Sequence, residues 1–555
     1  MTPNRGETTN NGDSVRERRF IRAGGTLVLA NCLVMAPLWV RTGTFGPHWI
    51  ALEIALLVAV FLVLPRRWWA RGAAWVAAGA ILATTLLLIA DSAARMSLAR
   101  PLNLYLDARL VGSVQNLLDG TFGSGWGPVI LIGGVLAAVG LVVVLARLLA
   151  GLTETRDGWR PRVPALVVLV LLASLVPLRW AHPRGVVLGL PVTQLAREQT
   201  KYLGSMLQER DRFAAEVAAT RTDWSTEPGL LVELDQRDVV LAFIESYGTS
   251  AVEDPRYAPV VTPTLEELER VAADRELHVA TGRMVAPSQG GMSWLGHGSA
   301  ISGLWLDNQL RYELMLGSDQ PTLVDDFEEA GYRTVALMPQ ITMAWPEGRL
   351  LGYDEIWTRP EIDYRGPPLN WVTMPDQFTW SYMQRNALDD PTDAPVFVEA
   401  GMISSHAPWT PILELEPWAE IGDGSIFERW RDAGESPESL WRDGERVRAA
   451  YAESVRYALE TMVSWVERYL DDDVVLVALG DHQPAPLVTG DGAPRTVPVH
   501  IISTDAELVE RFVSRGFVAG AFPPAASPDG SEPRMSELRS ILVGALSSPA
   551  RGTTQ

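Results

Sequence analysis

Three short stretches of the sequence hold side chains suited to metal-assisted group transfer. "DVVLAFIES" ends in Glu245 and Ser246 after a Val-rich apolar run, and "DVVLVALGDH" ends in Asp481 and His482 after another. Carboxylate oxygen and imidazole nitrogen are suitable ligands for a divalent cation such as Mn or Zn. The third stretch, "PSQGGMSWLGHGSAISG" from Pro287 to Gly303, carries Ser288, Ser293, Ser299 and Ser302 among small residues, with one histidine and almost no charge. A serine hydroxyl is a weak nucleophile at neutral pH, and a dication bound to it lowers its pKa. Each stretch has an ordinary alternative. Glu245 caps a turn, Asp481 opens a loop, and the glycine-rich stretch leads into a buried small-residue helix. The coincidence of both acidic sites with the ends of apolar runs favours the chemical reading.

The elements that must position these groups follow from periodicity. "DVVLAFIES" reads as a buried parallel strand. Further strands are expected at "TVALM", "PVFVEAG", "DVVLVALGDH" and "VPVHIIS". Helical stretches lie between them, including "TPTLEELERVAADR", "PTLVDDFEEAGY" and "RVRAAYAESVRYALETMVSWVERYL". Strands alternating with helices indicate an α/β sheet covered on both faces, with ligands at the carboxyl ends of the strands.

That pattern occupies only the later part of the 555-residue chain. The earlier part holds five apolar runs, 21–40, 48–65, 73–90, 128–149 and 164–178. A helix needs ~20 apolar residues to cross a bilayer, so five transmembrane helices are expected over 21–180. Arg16, Arg18, Arg19 and Arg22 precede the first run. Arg66, Arg67 and Arg71 lie between the second and third, and Arg147, Arg156, Arg160 and Arg162 between the fourth and fifth. The positive-inside rule then makes residues 1–20 a cytoplasmic tail and puts the chain after Trp180 outside. Between the third and fourth runs, residues 102–118 have the periodicity of an amphipathic helix lying on the outer membrane surface, with a plain connector as the alternative. The net charge of −20 resides in the later part. An acidic outer part argues against a nucleic-acid partner, because phosphate binding needs a basic face. The single cysteine, Cys32, precludes any disulfide within the chain.

"VVLAFIESYG", "GDH" after an apolar strand and "SSHAPW" resemble the alkaline phosphatase superfamily in their order along the chain and their places at strand ends. More narrowly, they resemble its membrane-bound phosphoglycerol transferases, such as lipoteichoic-acid synthases and the enzymes that decorate periplasmic glucans. The resemblance implies an N-terminal five-helix transmembrane region followed by an extracytoplasmic α/β sulfatase-like domain. It sets the boundaries as a helical stalk over 181–236, a catalytic domain over 237–523 and a polar tail over 524–555. It also implies a nucleophile at the start of a helix beside the metal. Aligning Ser293 there places Ser302 and Gly303 on the family's downstream Thr-Gly pair. A one-residue shift would place Met292 there, which has no oxygen to attack with. Leu295, Gly296 and His297 stand where sulfatases carry Pro-Ser-Arg, so Ser293 is expected to remain a plain hydroxyl, where the transferases usually have Thr.

The same resemblance implies one divalent metal ion, Mn first and Zn or Mg as alternatives, held by Glu245, Ser293, Asp481 and His482. His406, in "SSHAPW", matches a substrate-contacting histidine. His297 lies one helical turn beyond Ser293 and either touches the phosphate or packs in the helix. Trp345 and Arg349 precede "GYDEIW", near where the related synthases use a Trp and an Arg for the glycerophosphate group. His500 stands either behind the site or simply buried. The implied reaction moves a phosphoglycerol head group from a phospholipid donor to the hydroxyl of a glycan or polymer acceptor, at the lipid bilayer. Phosphoethanolamine transfer, a sulfatase or phosphodiesterase acting with water, and an inactive sulfatase-like scaffold are the alternatives.

Overall fold

The computed structural model describes residues 10–42, 49–107, 126–153, 162–181, 188–220, 229–390 and 394–547. The chain divides into two compact units, residues 1–96 with 100–207, and residues 97–99 with 208–555.

The first unit is helical. Helices Arg19–Thr42, Trp68–Leu98 and Trp126–Ala150, of 24, 31 and 25 residues, are long and apolar enough to cross a membrane. In Trp68–Leu98, Ala70, Ala74 and Ala78 recur every fourth residue on the buried face, where small side chains let helices approach closely. Large apolar residues point outward instead, among them Val76, Leu86, Val129, Ile132 and Leu136. A soluble helix places polar residues on that face. The other two apolar runs form shorter helices. The second gives Leu52–Val63, only 12 residues. Its first residues, Ile50 and Ala51, are extended and pair in parallel with Leu188 and Gly189, and the helix stops at an extended Leu64 before Pro65. At 1.5 Å per residue it spans about 18 Å, short of the ~30 Å hydrocarbon layer. The fifth run lies in helix Val163–Ala181, with the apolar stretch Val163–Val176 also below spanning length. Among the described residues, three of the five expected runs therefore meet the length requirement. Of the expected interfacial helix, one turn at Leu104–Asp107 is observed, and 108–118 lie outside the described residues.

The second unit is built on an eight-stranded sheet. Its strands are β1 (Asp238–Ile244), β2 (His278–Val285), β3 (Arg333–Met338), β4 (Glu355–Thr358), β5 (Val396–Met402), β6 (Val474–Gly480), β7 (Thr496–Ser503) and β8 (Val518–Ala519), in the order β8-β2-β7-β6-β1-β5-β3-β4. The run β6-β1-β5-β3-β4 is parallel, whereas β7 is antiparallel to both β6 and β2. Alternation along β1 sends Val240, Ala242 and Ile244 to one core and Val239, Leu241 and Phe243 to the other. Helices Ala258–Asp274, Asp376–Met383 and Gly444–Tyr469 contribute to the first core, and Ser293–Ser302, Leu323–Glu329, Ala506–Val513 and Leu538–Leu546 to the second.

The last of these helices corrects the expected polar tail. Met535, Leu538, Leu542 and Leu546 are buried at helical spacing. Beside them Arg539 donates to both carboxylate oxygens of Asp326 at 2.7 and 2.9 Å, with both side chains 3% exposed. The Ser-, Pro- and Gly-rich sequence before Met535 masked this short apolar period.

Candidate metal and hydroxyl centre

The parallel strands β1 and β6 are neighbours, and both deliver their next residues to the same edge of the sheet. Glu245 follows β1 and donates its backbone N–H to the Met402 carbonyl of β5 at 2.9 Å. The chain then turns through Ser246, at φ 55°. This turn passes so close to β6 that a β-carbon at Gly480 would stand 1.9 Å from the Tyr247 carbonyl oxygen. Asp481 and His482 follow Gly480. Asp481 Oδ1 accepts the backbone N–H groups of Ser246 at 2.8 Å and His482 at 2.7 Å. His482 Nδ1 donates to the Gln483 carbonyl at 2.9 Å, which turns Nε2 toward the carboxylates.

Ser293 reaches the same point from the other core. Gly290 and Gly291 have φ of 72° and 139°, and Met292 is left-handed at φ 63°, so the loop turns sharply into helix Ser293–Ser302. Glycine at 296 lets the helix approach: a β-carbon there would lie 2.7 Å from the Asp481 carbonyl oxygen. Ser293 Oγ donates to Glu245 Oε2 at 3.2 Å and lies 3.3 Å from His482 Nε2. His482 Nε2 is 3.4 Å from both Glu245 Oε1 and Asp481 Oδ2. One donor atom each from Glu245, Asp481 and His482 falls within 4.8 Å of the others.

Two carboxylates this close and this buried are costly without a cation. Burial, and then the Glu245 charge, push Asp481 up to about 6. Burial also opposes ionisation of Glu245, but His482 and His406 outweigh it and hold the carboxyl below its ordinary range. Burial disfavours the His482 imidazolium, and Asp481 and Glu245 together raise it. A proton on His482 therefore balances this charge, and a divalent cation would balance it better. The donor set of carboxylate, imidazole and hydroxyl fits such an ion.

The remaining expected residues divide. His406 follows β5 and donates Nδ1–H to the Ala407 carbonyl at 2.5 Å, with the Trp371 ring 6.4 Å away. Its segment adjoins the centre, since the neighbouring Ser405 Oγ donates to the Glu245 carbonyl. His297 is stacked on Phe243 at 3.8 Å and held by Glu399 at 2.6 Å. His500 is fully buried between Thr281 Oγ1 at 3.0 Å and the Tyr247 hydroxyl at 3.1 Å, and burial lowers its pKa to about 4. It supports the Tyr247 turn as a neutral ring. Trp345 begins helix Pro346–Leu350 and lies 6.5 Å from the Tyr353 ring, and Arg349 is exposed. The structure brings neither into hydrogen bonding with Ser293, Glu245, Asp481 or His482. Residues the sequence reading passed over include Glu399, Tyr353, Asp376 and Ser405, whose Oγ donates to the Glu245 carbonyl at 2.6 Å. A carboxylate inside the wholly buried strand β5 was the one available signal, for Glu399.

The fold and this centre define an α/β protein with a candidate cation site and a helix-borne hydroxyl at the carboxyl ends of its parallel strands. No protein-family model matches the chain, and no curated protein matches it. Among solved structures, it is similar to the lipoteichoic acid synthase LtaP from Listeria monocytogenes, at 14% identity and a TM-score of 0.32 over 48% of this chain. It spans 65% of that chain, just under two thirds. It is also similar to a protein in the alkaline phosphatase superfamily from Vibrio parahaemolyticus, at 14% identity and a TM-score of 0.35 over 57% of this chain and 76% of that one. A third is the Streptococcus pyogenes phosphoglycerol transferase GacH in complex with sn-glycerol-1-phosphate, at 12% identity and a TM-score of 0.34 over 54% and 74%.

Proposed function

We propose that this chain is a metal-dependent transferase that moves a phosphoglycerol-type head group from a phospholipid to an acceptor hydroxyl through a phosphoserine at Ser293. The observation that carries the reading is the place of Ser293 Oγ, on the first residue of a helix and against Glu245 and His482. Glu245, Asp481, His482 and Ser293 would hold the cation, Mn first. When bound, a divalent cation lowers the pKa of the hydroxyl and polarises the phosphoryl group. Ser293 Oγ, having released its proton to solvent, attacks phosphorus as the oxyanion in which it later leaves, and the bond to the diacylglycerol oxygen breaks. His406 Nε2, left open because Nδ1 is taken by Ala407, gives that oxygen its proton. The N-terminus of helix Ser293–Ser302 stabilises the added negative charge. An acceptor hydroxyl on a glycan or polymer then attacks the phosphoserine and gives up its proton to His406, and Ser293 Oγ leaves. The apolar N-terminal helices suit a lipid donor, and the arginine distribution favours a catalytic unit on the outer side of the membrane.

The test is mass spectrometry of the full chain after incubation with phosphatidylglycerol and Mn. A glycerophosphate adduct is expected on the tryptic peptide Met284–Arg311, at Ser293. Ser293→Ala should abolish it, and Ser293→Thr should keep part of it. An adduct on another serine, or turnover by Ser293→Ala, would overturn the reading.

A further inference from the structure

Strand β5 carries a carboxylate in the middle of a wholly buried run. Glu399 pairs in register with Leu241 of β1 and Ala336 of β3, and its side chain is 2% exposed. Both of its oxygens are used. Tyr353 donates its hydroxyl to Oε2, and His297 Nδ1 lies 2.6 Å from Oε1. Burial, followed by the Glu399 charge, raises Tyr353 well above its ordinary pKa, so its hydroxyl keeps the hydrogen that it donates. The His297 ring is clamped flat on Phe243, with centroids 3.8 Å apart and planes at 22°.

The ring therefore has one orientation and one free atom. Nδ1–H is committed to Glu399, and among the described residues Nε2 has no hydrogen-bond partner. His297 lies one helical turn after Ser293, on the same helix face.

We infer that Tyr353 and Glu399 are positioning residues that hold His297 with Nε2–H presented to a non-bridging oxygen of the anionic group carried by Ser293. The inference rests on the proposed phosphoryl transfer at Ser293. A carboxylate behind an imidazole fixes which way the ring faces, and a charge-assisted hydrogen bond from its free edge to phosphate is short and strong. His297 then binds the phosphoryl group from the side, while His406 serves the leaving and entering oxygens. A histidine packed only to fill space would need neither a buried carboxylate nor a tyrosine behind it.

The probe is inorganic phosphate, titrated calorimetrically into the full Mn-loaded chain in detergent micelles. His297→Gln and Glu399→Gln should each weaken phosphate about tenfold, the loss of one charge-assisted hydrogen bond. The double variant should be no weaker than the poorer single variant within about twofold, because Glu399 acts through His297. His297→Arg should restore binding, since its guanidinium can pair with Glu399 and still donate. Thermal midpoints of the metal-free variants report folding separately. Wild-type phosphate affinity in Glu399→Gln, or losses that multiply in the double variant, would overturn the inference. Absence of a Ser293 adduct from phosphatidylglycerol would instead defeat the transferase reading, and it leaves this comparison of phosphate affinities standing.

Discussion

The Asp481 carboxylate accepts the backbone N–H of Ser246 at 2.8 Å, so the residue after β6 is tied to the turn after β1. This bond fixes the distance between the two carboxylates before any cation arrives. It also separates two duties of Asp481, since Oδ1 holds the backbone and Oδ2 faces His482 at 3.4 Å.

Asp481→Asn separates those duties experimentally. The amide oxygen can still accept the Ser246 and His482 N–H groups, so the turn should persist. A neutral amide is a poorer ligand, and affinity for Mn should fall by on the order of tenfold or more, at least the loss seen when supporting groups around a metal are removed. The metal-free variant should be as stable as the wild type or more so, because Glu245 no longer faces a second buried charge. Elemental analysis after gel filtration and thermal melts in chelator measure the two effects. Unchanged metal content in Asp481→Asn would remove Asp481 from the ligand set.

Gly296 tests the helix rather than a ligand. A methyl group there meets the Asp481 carbonyl oxygen at 2.7 Å, which is backbone and cannot swing away. Gly296→Ala should push helix Ser293–Ser302 outward and separate Ser293 from Glu245 and His482. An overpacked contact of this kind costs about 1–3 kcal/mol, less than a domain of this size needs to unfold. Turnover should drop while metal stays bound to Glu245, Asp481 and His482. A fully active Gly296→Ala would mean that the close approach has no part in placing the hydroxyl.

The strands that carry this centre were legible because they are apolar on both faces. β1, β3, β5, β6 and β7 all coincide with runs that stand out in the sequence. β2 was missed because "HVATGRMV" alternates with polar residues that find partners only in three dimensions. Thr281 bonds His500, and the buried Arg283 pairs with Glu253. Apolar run length also exceeds the helix formed at the second run, since hydropathy cannot tell extended Ile50 and Ala51 from the helix that follows them. Within the site, Glu245, Ser293, Asp481 and His482 were readable because strand ends and a glycine-rich loop advertise them. Glu399 was not, because its meaning comes from His297, 102 residues away in the chain. Asp376 was hidden in the same way.

Asp376 anchors the segment that carries His406. Its Oδ1 accepts the backbone N–H groups of Ile403 at 2.6 Å and Ser404 at 2.8 Å, and its own N–H is accepted by Ser404 Oγ at 2.8 Å. Oδ2 is buried without a partner, as is the Tyr457 hydroxyl. Burial raises the carboxyl from 3.8 to about 7, against the help of the Ser404 and Ile403 hydrogen bonds. A carboxyl whose pKa is raised on folding contributes stability that is complete below its unfolded pKa. That contribution is lost as pH rises through the folded pKa. The wild type should therefore lose stability between about pH 4 and pH 7 on account of this group, by an amount on the order of 4 kcal/mol. Asp376→Asn keeps the acceptor for Ile403 and Ser404 and cannot ionise. The difference in thermal midpoint, variant minus wild type, should thus widen from pH 5 to pH 8 in favour of the variant. Turnover should be largely retained, because the His406 segment stays anchored. Asp376→Ala removes the anchor and should lower turnover, with the substrate KM less affected than kcat if His406 acts on the leaving oxygen. A midpoint difference that is flat across this pH range would show that the native Asp376 carboxyl is already ionised throughout it, and would overturn the raised pKa.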